Sequence, residues 1–303
     1  MLFRIRINGR SHRRSYIIFQ DARRNAETLR SFICRTKISA CACFSNLTLG
    51  NPSASRMGFR NIQECLRLAE ENSASEEVMA SCVFAGYLAT VLMHLPADGL
   101  PPLKDFLPYL PAGIRAYAIY ILAHNAYLNE EYERALGLCQ SVFLMLDGCY
   151  PIAMEYLYCV IIMCLNNQKK HEEAREILLK AWNMAKPDGF LEPFIEHHGL
   201  MLGQIEACIK PTEPENYKRL SQAVIAFSRG WMDIHNPQLQ SSVTDKLTPM
   251  EFSIAMLASK GWTNREIADH LSMSVNTIKH YLSRIFQTLG VEKREELKPF
   301  VNK

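Results

Sequence analysis

Residues 247–297 read LTPMEFSIAMLASKGWTNREIADHLSMSVNTIKHYLSRIFQTLGVEKREEL, and the start and stop signals in this stretch predict four short helices. Thr248-Pro249-Met250-Glu251 sets a hydroxyl cap, a proline at the first helical position and a glutamate at the third, so orphan amides are satisfied from both directions. Thr263-Asn264-Arg265-Glu266 repeats that box for a second helix, and Gly261 before it supplies the left-handed residue that lets the first one stop. The second helix ends near His270, and Ser274 caps a third that runs to Gly290, so only Leu271 to Met273 lie between them.

The third helix carries the information. At about 100° per residue, Val275, Ile278, Leu282, Ile285 and Leu289 form one apolar stripe, while Asn276, Lys279, His280, Ser283 and Gln287 gather on nearly the opposite side. An α-helix fits the major groove of duplex DNA, where base edges present distinct donor and acceptor patterns, and a polar, partly cationic face can read them.

The stretch resembles the LuxR-type (GerE-like) helix-turn-helix of bacterial transcription regulators. The resemblance rests on L-T-P-x-E at 247–251, G-x-T-N-R-E-I-A at 261–268, T-I-K-H at 277–280 and L-G-V at 289–291. It implies a sequence-specific regulator whose third helix is the recognition helix, with base-facing roles on Lys279, His280 and Ser283 and backbone contacts near Thr277 and Arg284. The candidate DNA-binding set is completed by Thr263, Asn264, Arg265, Asn276 and Gln287. The family's dimer contact, its fourth helix, falls on Lys293 to Val301, with Leu297 and Val301 as an apolar pair four residues apart and Pro299 as an interruption. The implied partners are double-stranded DNA, a second copy of the chain on DNA, and RNA polymerase. Three positions depart from the family pattern: Met250 and Phe252 stand where charge is usual, Ser283 occupies an often basic site, and Lys293 offers no capping side chain. The competing reading is an interaction scaffold whose C-terminal fold contacts protein rather than DNA.

Outward from this stretch, 48% apolar residues in 303 is ample for buried cores. Charge is segregated: residues 1–56 hold 11 Lys/Arg against 2 Asp/Glu (+9), residues 57–242 hold 14 against 22 (−8), and residues 243–303 hold 9 against 7 (+2). An acidic middle leaves DNA to the C-terminal stretch and the basic N-terminus. Ten cysteines lack the paired spacing of zinc sites and suit reduced thiols in a cytoplasmic protein. No apolar run reaches the roughly 20 residues needed to span a bilayer.

Residues 1–56 show no helical period and read as a basic, disordered or spurious extension, with Met57 as an alternative first residue. From there to residue 236 the chain reads as all helix. Segments are expected at Ile62–Asn72, Ser75–Leu95, Ile114–Leu128, Glu131–Leu146, Ile152–Leu165, His171–Ala185, Pro193–Ile209 and Glu215–Ile234, with turn residues such as Asp147-Gly148 and Asn166-Asn167 between them. NEEYERALGLC at 129–139 aligns with QKKHEEAREIL at 168–178, pairing Ala135 with Ala174, and Tyr117 falls over Tyr156 at the same offset of 39. Small residues at helix crossings and stacked hairpins of this kind resemble a tetratricopeptide-type solenoid. The closing AKPDGFLEPFIEHHGLML at 185–202 resembles the end of the sensor region in MalT-like regulators. A polar linker at 237–246 then separates the helical-repeat region from residues 247–303.

The expected fold is therefore all-α, a helical-repeat domain followed by a four-helix DNA-binding domain. Tyr117, Tyr120, His124 and Tyr156 form an aromatic set that either lines a groove for a small-molecule or protein effector or packs between hairpins. His197-His198 sit on different helix faces, which favours solvated or capping roles over metal binding. No phosphate-binding loop, nucleophile elbow or metalloprotease helix is present, so the sequence supports neither catalysis nor a cofactor.

Overall fold

A computed structural model describes residues 39–43, 45–46, 51–71, 73–93, 99–146, 149–235 and 246–301, and no strand occurs among them. The first long helices are α1 (Pro52–Glu71) and α2 (Glu76–Met93), followed by a short α3 (Leu103–Phe106). Helix α1 crosses Met57, and the buried Ser55 hydroxyl donates to the Cys43 carbonyl at 2.8 Å. Packed helix thus reaches back before residue 57. Among the described residues no helix is long and apolar enough to cross a membrane.

Two hairpins follow, α4 (Ala112–Leu128) with α5 (Tyr132–Leu146) and α6 (Pro151–Asn167) with α7 (His171–Ala185), and α4 packs on α6. The repeat offset is written into the backbone of their turns. Glu130 and Lys169, 39 positions apart, both take left-handed φ values, 61° and 60°. Glu131 N donates to Ala126 O and Lys170 N to Leu165 O, each at 2.9 Å, so both helices close in the same left-handed way. Asn166 and Asn167 therefore stay inside α6, and the break falls on 168–170 rather than on the asparagine pair. The expected break at Asp147-Gly148 lies outside the described residues. Ala135 and Ala174 are fully buried where the hairpins cross, and the Tyr117 and Tyr156 rings meet edge to face with centroids 4.9 Å apart.

The single helix expected over Pro193–Ile209 is instead α8 (Glu192–Glu196), a 3-10 turn (His198–Met201) and α9 (Gln204–Thr212). The reason is tertiary. Leu202 and Gly203 adopt φ of 54° and 83°, and a Cβ on Gly203 would lie 2.6 Å from Leu271 Cδ2. The chain bends here so that its backbone can approach the C-terminal bundle. After α10 (Pro214–His235) the described chain resumes at residue 246; residues 237–245 of the expected linker lie outside the described residues.

The C-terminal bundle comprises α11 (Pro249–Ser259), α12 (Asn264–His270), α13 (Val275–Leu289), a 3-10 turn (Arg294–Leu297) and α14 (Lys298–Val301). It docks on the helical region through its α11 and α12 side. The neutral ring of His270, held near pKa 4 chiefly by burial, donates from Nε2 to the Leu202 carbonyl at 2.7 Å. Lys260 donates to Asn167 Oδ1 at 3.1 Å, and Lys169 pairs with Glu266 at 2.6 Å while lying over the Trp262 ring.

Candidate nucleic-acid interface

Both expected capping boxes are formed. The Thr248 and Thr263 hydroxyls accept from Glu251 N at 3.3 Å and Glu266 N at 3.2 Å, while the two carboxylates reach back to Thr248 N and Thr263 N at 2.9 and 2.7 Å. Ser274 Oγ accepts from Thr277 N at 3.0 Å and opens α13, which Gly290 closes with φ 69°. Between α12 and α13 the turn takes Ser272 through φ 53°, and the Met273 N bond to Ala268 O at 2.8 Å ends α12. These local closures fix the angle at which α13 leaves α12.

Ile278, Leu282, Ile285 and Leu289 are buried against the bundle. Val275, expected in that stripe, is 36% exposed because it stands at the first helical position, ahead of the first buried turn. Asn276, Thr277, Lys279, His280, Ser283, Arg284 and Gln287 are all exposed, and at about 100° per residue they spread over one side of α13. The hydrogen bonds and ion pair that hold the bundle to the helical region at His270, Lys260 and Glu266, and the approach of Leu271 to Gly203, lie on α11, α12 and the loops beside them rather than on this side. Arg284 pairs with the buried Glu251 carboxylate at 3.0 Å while its own side chain stays 57% exposed, so its guanidinium is pre-placed beside α13.

The second-helix candidates are placed differently. Thr263 spends its hydroxyl on the cap, and Asn264 Oδ1 accepts from Arg294, which also donates to the Trp262 carbonyl. Arg265 is exposed. Phe252, one of the departures from the family pattern, faces the helical region: a Cβ on Gly199 would lie 3.2 Å from its ring. The loss of polarity on the outside of α11 is thus explained by what covers it. The missing cap at Lys293 is half replaced, since Glu296 reaches back to accept from Glu292 N at 2.8 Å and Lys293 N at 3.3 Å.

Leu297 and Val301, the apolar pair expected at the dimer contact, are placed inside the bundle. Leu297 is fully buried and Val301 only 9% exposed, because the last turn folds back onto α11 as part of the bundle's own core. The span Lys293 to Val301 is divided next to Pro299, into the 3-10 turn Arg294–Leu297 and α14, in whose first turn the proline's missing amide is harmless.

With this geometry in view, residues 245–300 match the profile described as GerE, "Bacterial regulatory proteins, luxR family". Residues 245–300 are a LuxR-family helix-turn-helix domain. The chain is also similar to proteins named "HTH-type transcriptional regulator MalT". It is 26% identical over 155 residues to the protein of Serratia proteamaculans (strain 568), covering 44% of this chain and 17% of that one. It is 26% identical over 143 residues to that of Klebsiella pneumoniae subsp. pneumoniae, covering 42% and 16%. The chain therefore spans about a sixth of the length of these relatives. No solved structure matches it.

The aromatic set in the helical region is placed as core rather than as an open groove. Tyr117, Tyr120, His124 and Tyr156 are all buried, with Tyr120 and His124 alone among them reaching a cleft beside the LuxR-family domain. The solvated reading of the histidine pair is also corrected. His197 Nδ1 donates to Pro193 O at 2.7 Å, which leaves Nε2 to accept from the Tyr120 hydroxyl at 3.0 Å; burial holds this ring neutral, near pKa 4. His198 is bonded to the buried Glu206 at 2.7 Å. Their burial follows from the break at 197–203, which the helical period of the sequence does not signal.

Proposed function

We propose that this chain is a sequence-specific DNA-binding transcriptional regulator, in which α13 reads the major groove and the helical-repeat region answers to an effector or partner. The observation that carries the reading is the exposed Asn276, Thr277, Lys279, His280, Ser283, Arg284 and Gln287 side of α13, within a LuxR-family domain whose α11 and α12 both open with capping boxes. In this reading Lys279, His280 and Ser283 face base edges, while Thr277 and Arg284 approach the backbone, where a helix terminus and a guanidinium both suit phosphate. Arg265 and Gln287 extend the contact at its edges. The relatives' name, HTH-type transcriptional regulator, supports the same reading.

Two copies on half-sites about one helical turn apart would multiply the few base pairs that one such module covers. Leu297 and Val301 are both used inside the bundle, so a contact through the last turn would draw on the exposed residues around them.

Selection of genomic fragments bound by the full chain, followed by gel shifts across a salt series, tests the proposal. Affinity should fall steeply as salt rises, because neutralised phosphates release counterions. Lys279→Ala should either flatten that slope or cost about 1–3 kcal/mol of discrimination at one base pair, and His280→Ala and Ser283→Ala should change sequence preference. A chain that binds no duplex at low salt would instead favour the protein-interaction scaffold.

A further inference from the structure

A cleft of about 360 Å³ opens where the helical region and the LuxR-family domain meet, within the size range of small-molecule sites. Both regions build it. The helical region supplies Val224, Phe227 and Leu200, and the domain supplies Phe252, Met256 and Lys260. Its apolar walls end on a polar corner at Tyr120, His124 and His197, whose hydroxyl and ring nitrogens lie 3.0 to 3.3 Å from one another.

Charge at the cleft is uneven. Lys260 and Lys298 are the cations on the domain side, and Glu130 faces them from the turn after α4. Glu196, the other carboxyl on the lining, is pushed up to about 8 by burial and so stays protonated at neutral pH. Among the described residues Lys260 has no carboxylate within ion-pair distance; its ammonium donates to Asn167, whose amide in turn donates to the Tyr127 hydroxyl at 3.0 Å. Lys260 is exposed, so its ammonium is open to an anion arriving from solvent.

We propose that this cleft binds a small organic anion with an apolar, ring-bearing body, seated between Phe227 and Phe252 with its charge towards Lys260 and a polar group at the Tyr120–His197 corner. Such a ligand touches both regions at once. It stabilises the docked arrangement by mass action and thereby changes the freedom with which α13 is presented. The inference deepens the effector half of the proposed reading by naming its site and ligand class. Its test reads occupancy of the cleft rather than of DNA, so either can fail alone.

The probe is 8-anilinonaphthalene-1-sulfonate, two aromatic ring systems and one sulfonate, titrated by fluorescence against the full chain, with neutral N-phenyl-1-naphthylamine as its uncharged counterpart. Saturable binding at one site per chain is expected. Val224→Trp fills the cleft and should weaken both probes by about tenfold or more, whereas Lys260→Gln should weaken the sulfonate by about tenfold and leave the neutral probe unchanged. Should Val224→Trp fail to fold by circular dichroism, Leu200→Trp replaces it, since Leu200 is only half-buried and its added bulk projects into the same space. Absence of saturable binding, or binding that the folded filling variant leaves intact, overturns the site. Equal loss of both probes in Lys260→Gln overturns the anion assignment.

Discussion

Helices α6 and α13 are close in length, yet one is buried almost all round and the other along a single stripe. Every residue of α6 from Ala153 to Val160 is buried, because the α4, α5 and α7 helices cover it on several sides. Helix α13 buries only Ile278, Leu282, Ile285 and Leu289 and keeps its remaining faces for water or a partner. A helix without an exposed face can specify where it sits but has no surface with which to recognise anything. A helix with one buried stripe gives up some packing and retains a face. The helical region should therefore draw its stability from packed volume, and the LuxR-family domain from local closures that aim α13.

The largest expected effect tests the first half of that contrast. Trp182 on α7 is 1% exposed and meets Phe194 edge to face at 5.3 Å. Trp182→Ala should cost about 3–5 kcal/mol through lost transfer energy and the cavity left behind. Thermal unfolding followed by circular dichroism should show the helical region melting early. An effect near that of a surface substitution would mean that packing at this hairpin is not what holds the region together.

The seam between the two regions is the next place to apply pressure. Gly203 takes φ 83° and faces Leu271, so Gly203→Ala adds both a strained backbone and a Cβ that Leu271 must leave room for. A left-handed non-glycine residue costs about 1–3 kcal/mol, charged here to docking. Calorimetry should resolve the melting of the LuxR-family domain from that of the helical region in this variant. A single transition unchanged from the parent chain would show that the two do not unfold as coupled units through this contact.

What the sequence made legible divides along the same line. Capping hydroxyls, their glutamates and Gly290 act within a few residues, so the boundaries of α11, α12 and α13 could be read from spacing alone. The offset of 39 was legible because one turn geometry recurs at Glu130 and Lys169. The break at 197–203 was not, because its cause is Leu271, Ser253 and His270, some 50 to 70 positions further along the chain. For the same reason His197 and His198 read as surface residues, and Leu297 as a free apolar patch, although each is covered by a distant element. The polar side of α13 is exposed as expected because none of the described residues folds over it.

Protonation offers a way to sharpen the contrast within the helical region. The Glu196 carboxyl accepts from the Tyr156 hydroxyl at 2.8 Å, and burial raises its pKa from 4.5 to about 8. In the window between these values the folded chain holds a proton that the unfolded chain has released, so stability falls as pH rises, by at most about 1.4 kcal/mol per unit, and levels off above pH 8. Glu196→Gln keeps an acceptor for Tyr156 and removes the titration. Its melting temperature should decline less than that of the parent chain between pH 6.5 and 8. The window excludes His197 and His270, whose lowered pKa values place their contributions below pH 6.5. Parallel pH profiles for the two proteins would mean that Glu196 is ionised when folded.

The smallest effect probes the local closures themselves. Thr263 caps α12 through Glu266 N and through the returning Glu266 carboxylate, which is also drawn by Lys169 at 2.6 Å across the seam. Thr263→Ala leaves Glu266 its hydrogen bond from the residue 263 amide and its surface ion pair, and removes only the hydroxyl. A lost cap of this kind costs about 1 kcal/mol, well below the cost at Trp182, and that loss should be confined to the LuxR-family domain. Its consequence for DNA should nevertheless exceed its consequence for stability. Helix α12 sets the angle of α13 through the Ser272 turn, so fraying at residue 263 misplaces Lys279 and His280 while leaving both present. Gel shifts and thermal melts on the same Thr263→Ala preparation separate the two quantities. Loss of affinity for a selected fragment beyond the measured loss of stability supports a domain built to aim one face. Equal losses would place α13 under the control of its buried stripe alone.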